Sequence, residues 1–95
     1  MNILAESQEA ISVRFAERGL DRFVGIDWRP GETGVPLLAG ALARFECATR
    51  QTISAGDHTI ILGEVLHAEW EDGAPLLYYA SAYHTAQPRK RTPEV

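Results

Sequence analysis

The chain has 95 residues, 45% of them hydrophobic and 23% charged, and a net charge of −4. That length holds at most one domain, which hides roughly two-thirds of its unfolded surface, and the composition excludes a disordered chain. The negative charge, with no basic face over the main body, argues against nucleic acid and anionic membrane surfaces as partners. The single cysteine, Cys47, cannot form an internal disulfide and fits a reducing compartment. No apolar run is long enough to span a bilayer, and Met1-Asn2-Ile3 leads into a polar helical pattern with no charged leader. A cytoplasmic, soluble protein is the expectation.

Leu4 to Arg18 reads as a helix. Leu4, Ile11 and Phe15 share a face with Gln8 between them, and Gly19 is a natural stop. Glu6 and Glu9 stand early and Arg14 and Arg18 late, as the helix macrodipole favours. Leu20 to Gly34 is rich in turn formers, with a loop over Arg29-Pro30-Gly31-Glu32-Thr33-Gly34. Pro36-Leu37-Leu38 and then Leu42–Ile53 read as extended. Alternation in the second run puts Phe45 and Cys47 on an inward face, and Arg44 and Glu46 on the other. Ser54-Ala55-Gly56-Asp57 is a turn. Thr59-Ile60-Ile61-Leu62 is apolar or β-branched throughout, as in a strand buried on both sides. Gly63 marks a bulge or bend, and the strand continues to Trp70. Glu71-Asp72-Gly73 reads as a hairpin turn into a last strand, Pro75 to Tyr83. On that strand Tyr79 and Tyr83 share one face and Tyr78 takes the other. Residues 1–84 form the domain, and 85–95, with Pro88, Arg89, Lys90, Arg91 and Pro93, a mobile tail.

The expected fold is mainly β with one N-terminal helix, its antiparallel strands forming an incomplete barrel. Three or four strands cannot close a barrel, and their open edges need cover. The cover is open among the helix, a second copy of the chain, and strands that this chain lacks.

His58 is the leading chemical candidate, an imidazole at the edge of a turn where it can orient a ligand. Gly56 permits the tight backbone, and Asp57 either braces the turn or joins the site. Arg22, flanked by Phe23, can hold a phosphate bidentately or pair with Asp21 or Asp27. Tyr83 offers an aromatic face for stacking, or for packing. Cys47 reads as a small buried apolar residue. His58, His67 and His84 lack metal-ligand spacing, and neither a catalytic triad nor a dinucleotide-binding glycine fingerprint occurs.

These residues form an ordered set: Asn2-Ile3-Leu4, Gln8, Phe15-Ala16, Asp21-Arg22-Phe23, Gly34, Pro36, Leu38, Gly40, Ala43, Cys47, Gly56-Asp57-His58, and Pro75 to Tyr83. The set resembles the C-terminal part of the flavin reductase family, the split-barrel flavin-binding reductases. Arg22 replaces the lysine of the family's Asp-Lys-Phe element, and Ala80, Ser81 and Ala82 stand where many members carry Arg, Gly or Arg. The resemblance implies an NAD(P)H:flavin oxidoreductase using FMN or FAD with NADH or NADPH. It implies a homodimer and a flavin-dependent monooxygenase as partner. Gly56-Asp57-His58 would meet the nicotinamide nucleotide, Arg22 with Phe23 the flavin phosphate, and Tyr83 the ring edge. The family's N-terminal strands, which carry most flavin contacts, have no counterpart here. A non-catalytic dimerisation or binding fragment of the same fold is therefore the alternative.

Overall fold

The computed structural model describes residues 1–19 and 21–89. A short strand β1 (Asn2–Ile3) leads through a 3-10 turn (Glu6–Gln8) into helix α1 (Glu9–Ala16). Six strands follow: β2 (Trp28–Pro30), β3 (Pro36–Leu38), β4 (Ala43–Ala55), β5 (His58–Trp70), β6 (Leu76–Tyr79) and β7 (Ala82–Thr85). They make three antiparallel sheets, β1-β4-β5, β2-β3 and β6-β7, and none closes into a barrel.

The helix is shorter than its periodicity suggests. Its start is drawn into extended pairing: Glu6 N donates to Ala74 O at 3.0 Å, Leu76 N to Leu4 O at 2.9 Å, and Ala5 bridges Pro75. Gln8 then caps the first turn, its Oε1 accepting from Ala5 N at 2.9 Å. The far end closes when Glu17, in extended backbone, donates its N–H to Arg14 O at 3.2 Å. Gly19, with φ 77°, turns the chain beyond that end.

The buried apolar residues are few: Leu37, Leu38, Ala41 and Ala43, with Gln8 and Glu46 buried beside them. The Gln8 Nε2 donates to Ala39 O at 2.9 Å, which ties the helix entrance to the segment after β3. Arg44 Nε donates to Leu38 O at 2.7 Å and holds the β2-β3 ribbon to β4.

Strands β4 and β5 form one long hairpin paired from Ala43↔Trp70 to Ala55↔His58. Its outer part projects from the body. The radius of gyration is 16.1 Å and the long extent 48 Å, against about 13 Å expected for the radius of a compact chain of this length. Projection overturns two expectations. Ile60, Ile61 and Leu62 are exposed, not buried on both sides, because no described segment covers the arm. Cys47 is exposed as well, while Glu46 is buried, because the loop after β2 folds over the Glu46 face and the arm leaves the body at Cys47. The expected irregularity at Gly63 is present. The register shifts between Thr49, which pairs Gly63, and Gln51, so Arg50 is the extra residue on the facing strand.

The last expected strand is two strands. Ala80 and Ser81, with φ 51° and 60°, turn β6 into β7. Tyr78 therefore faces Tyr83 across the pair, with ring centroids 5.0 Å apart, and Tyr79 stacks on His84 at 4.0 Å. The shared face of Tyr79 and Tyr83 is corrected accordingly. Glu71-Asp72-Gly73 is a crossing and not a hairpin turn, since β6 pairs with β7 and not with β5. Thr85 closes β7, residues 86–89 carry no regular element, and 90–95 of the expected tail lie outside the described residues.

Candidate functional site

Two-residue hairpin loops need φ > 0 in the first or both central residues to match strand twist. Gly56 supplies it with φ 63°. Asp57 follows, and His58 opens β5. The Asp57 Oδ1 lies 2.6 Å from His58 Nδ1, with both side chains almost fully exposed. A hydrogen on Nδ1 is donated to the carboxylate, which orients the ring and leaves Nε2 available to a ligand. The turn thus presents a braced imidazole at the tip of the arm.

The other expected residues gather around α1. Arg22 Nε donates to Glu17 O at 2.8 Å, and Arg14 Nε donates to Arg22 O at 3.1 Å. The expected alternative for Arg22, an ion pair with Asp21 or Asp27, is absent among the described contacts; Asp21 Oδ1 instead accepts from Phe23 N at 3.1 Å. Phe23 sits edge-on between Phe15 and Trp28, with ring centroids 5.2 and 5.6 Å away. Tyr83 shares a hydrogen bond of 2.9 Å with Ser12 Oγ. Between α1 and the β6-β7 ribbon lies an open cleft of about 670 Å³, lined by Ser12, Val13, Ala16, Glu17, Tyr78, Ser81 and Tyr83. Glu17 lines this cleft and its carbonyl holds Arg22, while Arg22 and Phe23 themselves are not among the lining residues. Gly56, Asp57 and His58 line neither this cleft nor the cavity at the root of the arm.

That root cavity, about 150 Å³, was not foreseen from the sequence. Arg29, Glu32, Leu37, Arg44, Glu46, His67, Ala68 and Glu69 line it. Glu69 Oε1 takes Arg29 at 2.7 Å and Arg44 at 2.9 Å. The Glu46 carboxyl is held below the ordinary carboxylate range, first by the Thr33 amide and next by the Thr33 hydroxyl, with burial opposing. Its Oε1 accepts both donors, at 2.9 and 2.8 Å. Nothing in the spacing of Thr33, Glu46 and His67 signals this cluster, because three separate elements bring it together. Among the described residues no group of three His, Cys, Asp or Glu is placed to hold a metal.

The family model described as "Flavin reductase like domain" matches residues 1–87. The FMN reductase (NADH) SmoA of Agrobacterium fabrum is 43% identical over 87% of this chain and 47% of its own length. The reductase subunit HsaB of a flavin-dependent monooxygenase from Mycobacterium tuberculosis is 38% identical over 98% of this chain and 51% of its own. Among solved structures, the nitrilotriacetate monooxygenase component B homologue from Mycobacterium thermoresistibile superposes with a TM-score of 0.88 at 38% identity, covering 98% of this chain and 54% of that one. The NADH:FAD oxidoreductase SgcE6 of Streptomyces globisporus, in complex with NAD and FAD fragments, superposes at 0.86 with 37% identity, over 92% of this chain and 54% of that one. The chain spans about half the length of these relatives. With the match running through all seven strands and the helix, the chain belongs to the flavin reductase like domain family.

Proposed function

We propose that this chain works in an NADH-dependent flavin reductase that passes reduced FMN or FAD to a flavin-dependent monooxygenase. The observation that carries the reading is the likeness, at 43% identity, to a relative named FMN reductase (NADH). Relatives named as reductase subunits or components of monooxygenases support the partner. Hydride transfer is chemistry that the nicotinamide and flavin rings supply when bound. The protein's part is to bind, orient and exclude water.

A flavin needs walls on both sides of a broad planar ring. One copy of this chain does not fit it: the braced imidazole stands on the exposed tip, while Arg22 and Tyr83 stand at α1. In the proposal the site is completed by further surface. Ile53, Ile60 and Leu62, which share one face of the arm, are exposed and support pairing with a second copy. Arg22 and Phe23 serve the flavin phosphate end, Tyr83 the ring edge, and Gly56-Asp57-His58 the nicotinamide nucleotide. Residues 1–84 act as the working unit.

The test is NADH oxidation by the purified chain with added FMN or FAD, over a range of chain concentrations, alongside sedimentation. Turnover that rises with dimer content supports the reading. Absence of NADH oxidation with either flavin, in a chain that sediments as a folded dimer, overturns it in favour of a non-catalytic module.

A further inference from the structure

Glu46 and His67 are directly opposed in the β4-β5 ladder. They are the last such pair before the register shift at Glu46/Cys47, where Leu66 is the extra residue on β5. A bulge bends its strand and increases local twist, so the direction of the arm is decided there. Both members of the pair are gripped by neighbouring residues of one loop. Thr33 donates two hydrogen bonds to Glu46 Oε1, and Glu32 Oε2 lies 3.0 Å from His67 Nε2. The loop is itself closed, with Gly31 N donating to Val35 O at 2.8 Å and Gly34 N to Gly31 O at 3.0 Å. The remaining charged groups around the cluster do not compete for Glu46, because Arg29 and Arg44 are both taken by Glu69.

We propose that the loop from Gly31 to Val35 is a clamp on the hinge of the arm, with Glu46 and Thr33 as positioning residues that fix where the Gly56-Asp57-His58 turn stands. Its importance for nucleotide binding rests on the function proposed above; the clamp itself does not. From Cys47 to Ala55 the arm extends roughly 26 Å. A swing of about 10° at its root therefore moves the tip by about 5 Å, while a misplacement of about 1 Å already costs reacting groups their alignment. Beyond the bulge every residue of both strands except the half-buried Ala48 is exposed, so within one copy of the chain no other described contact restrains the arm.

The test measures the arm directly by pulsed electron–electron resonance in the full chain. Nitroxide labels are placed by Val13→Cys and Ser54→Cys in a Cys47→Ser background, diluted with unlabelled chain. The parent and Thr33→Ser, which keeps the hydroxyl, should give the same narrow distance distribution. Thr33→Val, which loses the hydroxyl bond, and Glu46→Ala, which loses both, should shift or broaden it by about 5 Å, the displacement set by the lever, with far-ultraviolet circular dichroism unchanged. Distributions in the folded variants that superimpose on the parent overturn the clamp; should Glu46→Ala unfold, Thr33→Val alone decides. The distance is read without flavin or NADH, so loss of the proposed activity would not be mistaken for loss of the clamp.

Discussion

Gly31 lies where the Glu46 carboxylate rests: a Cβ built on this glycine would fall onto the carboxylate carbon and both of its oxygens. Space, not backbone conformation, demands the glycine, since Gly31 is absent from the positive-φ positions. Gly31→Ala should cost about 1–3 kcal/mol by overpacking, lowering Tm by about 4–8 °C per kcal/mol in a domain of this size. The same change in a Glu46→Ala background should cost much less, because the clash has gone. Thermal melts of the four proteins check this; equal costs in both backgrounds would show that the carboxylate is not what Gly31 makes room for.

The Glu46 carboxyl also sets a pH dependence. Its folded pKa is lowered, so the stability it contributes is fully present above the ordinary value of 4.5 and is lost as pH falls through the folded value. Urea midpoints measured downward from pH 6 should fall more steeply in the parent than in Glu46→Gln, which keeps the shape but cannot ionise. Parallel curves would remove Glu46 from the acid transition.

Gln8 is buried and uses both ends of its amide, accepting from Ala5 N and donating to Ala39 O, each at 2.9 Å. Gln8→Glu keeps the acceptor and loses the donor, setting a carboxylate against the Ala39 carbonyl. A cost of about 1–3 kcal/mol is expected for leaving that buried carboxylate oxygen unpaired. It should shrink at acid pH, where the protonated carboxyl can donate again. Chemical denaturation at two pH values reads both effects.

Ala80 and Ser81 both adopt the left-handed conformation, at φ 51° and 60°. For residues with a Cβ this costs roughly 1–2 kcal/mol each. Ala80→Asn with Ser81→Gly installs the pair that a type I′ turn prefers. The double variant should melt several degrees higher, and an unchanged or lower Tm would mean that the turn differs from the one described.

Residue patterns reveal some of this architecture and not the rest, for reasons these positions show. The β4-β5 pair and its turn were legible because Gly56 and the flanking runs carry local chemistry that only a hairpin satisfies. The turn at Ala80 and Ser81 was not, because neither residue advertises φ > 0, and the Tyr78–Tyr83 contact was lost with it. Period-two alternation placed Glu46 and Cys47 on opposite faces but could not say which face a distant loop would cover. The exposure of Ile60 to Leu62 was hidden for a similar reason: hydrophobicity reports that a strand seeks cover, not that this chain supplies it. Arg22 with Phe23, and Tyr83, stand out in the sequence, whereas their gathering around α1 depends on tertiary contacts through Ser12, Phe15 and Glu17.

His58 separates the proposed role of the tip from a structural one. Its side chain is 82% exposed and touches Asp57 alone among the described polar contacts. Replacing it should leave stability within about 0.5 kcal/mol, as for surface positions with no special feature. If the imidazole holds the nicotinamide nucleotide, His58→Ala removes a hydrogen bond to a charged ligand, about 1.5–3 kcal/mol. That corresponds to a loss of roughly ten- to hundredfold in kcat/KM for NADH. Asp57→Asn, which weakens the brace but leaves the ring, should give a smaller loss. KM for the flavin should stay the same in both variants, because Arg22, Phe23 and Tyr83 are untouched. Steady-state kinetics with NADH varied at saturating FMN, paired with melts, checks all three points. If His58→Ala retains the parent's kcat/KM, the tip is only a turn, and the nucleotide must be bound elsewhere.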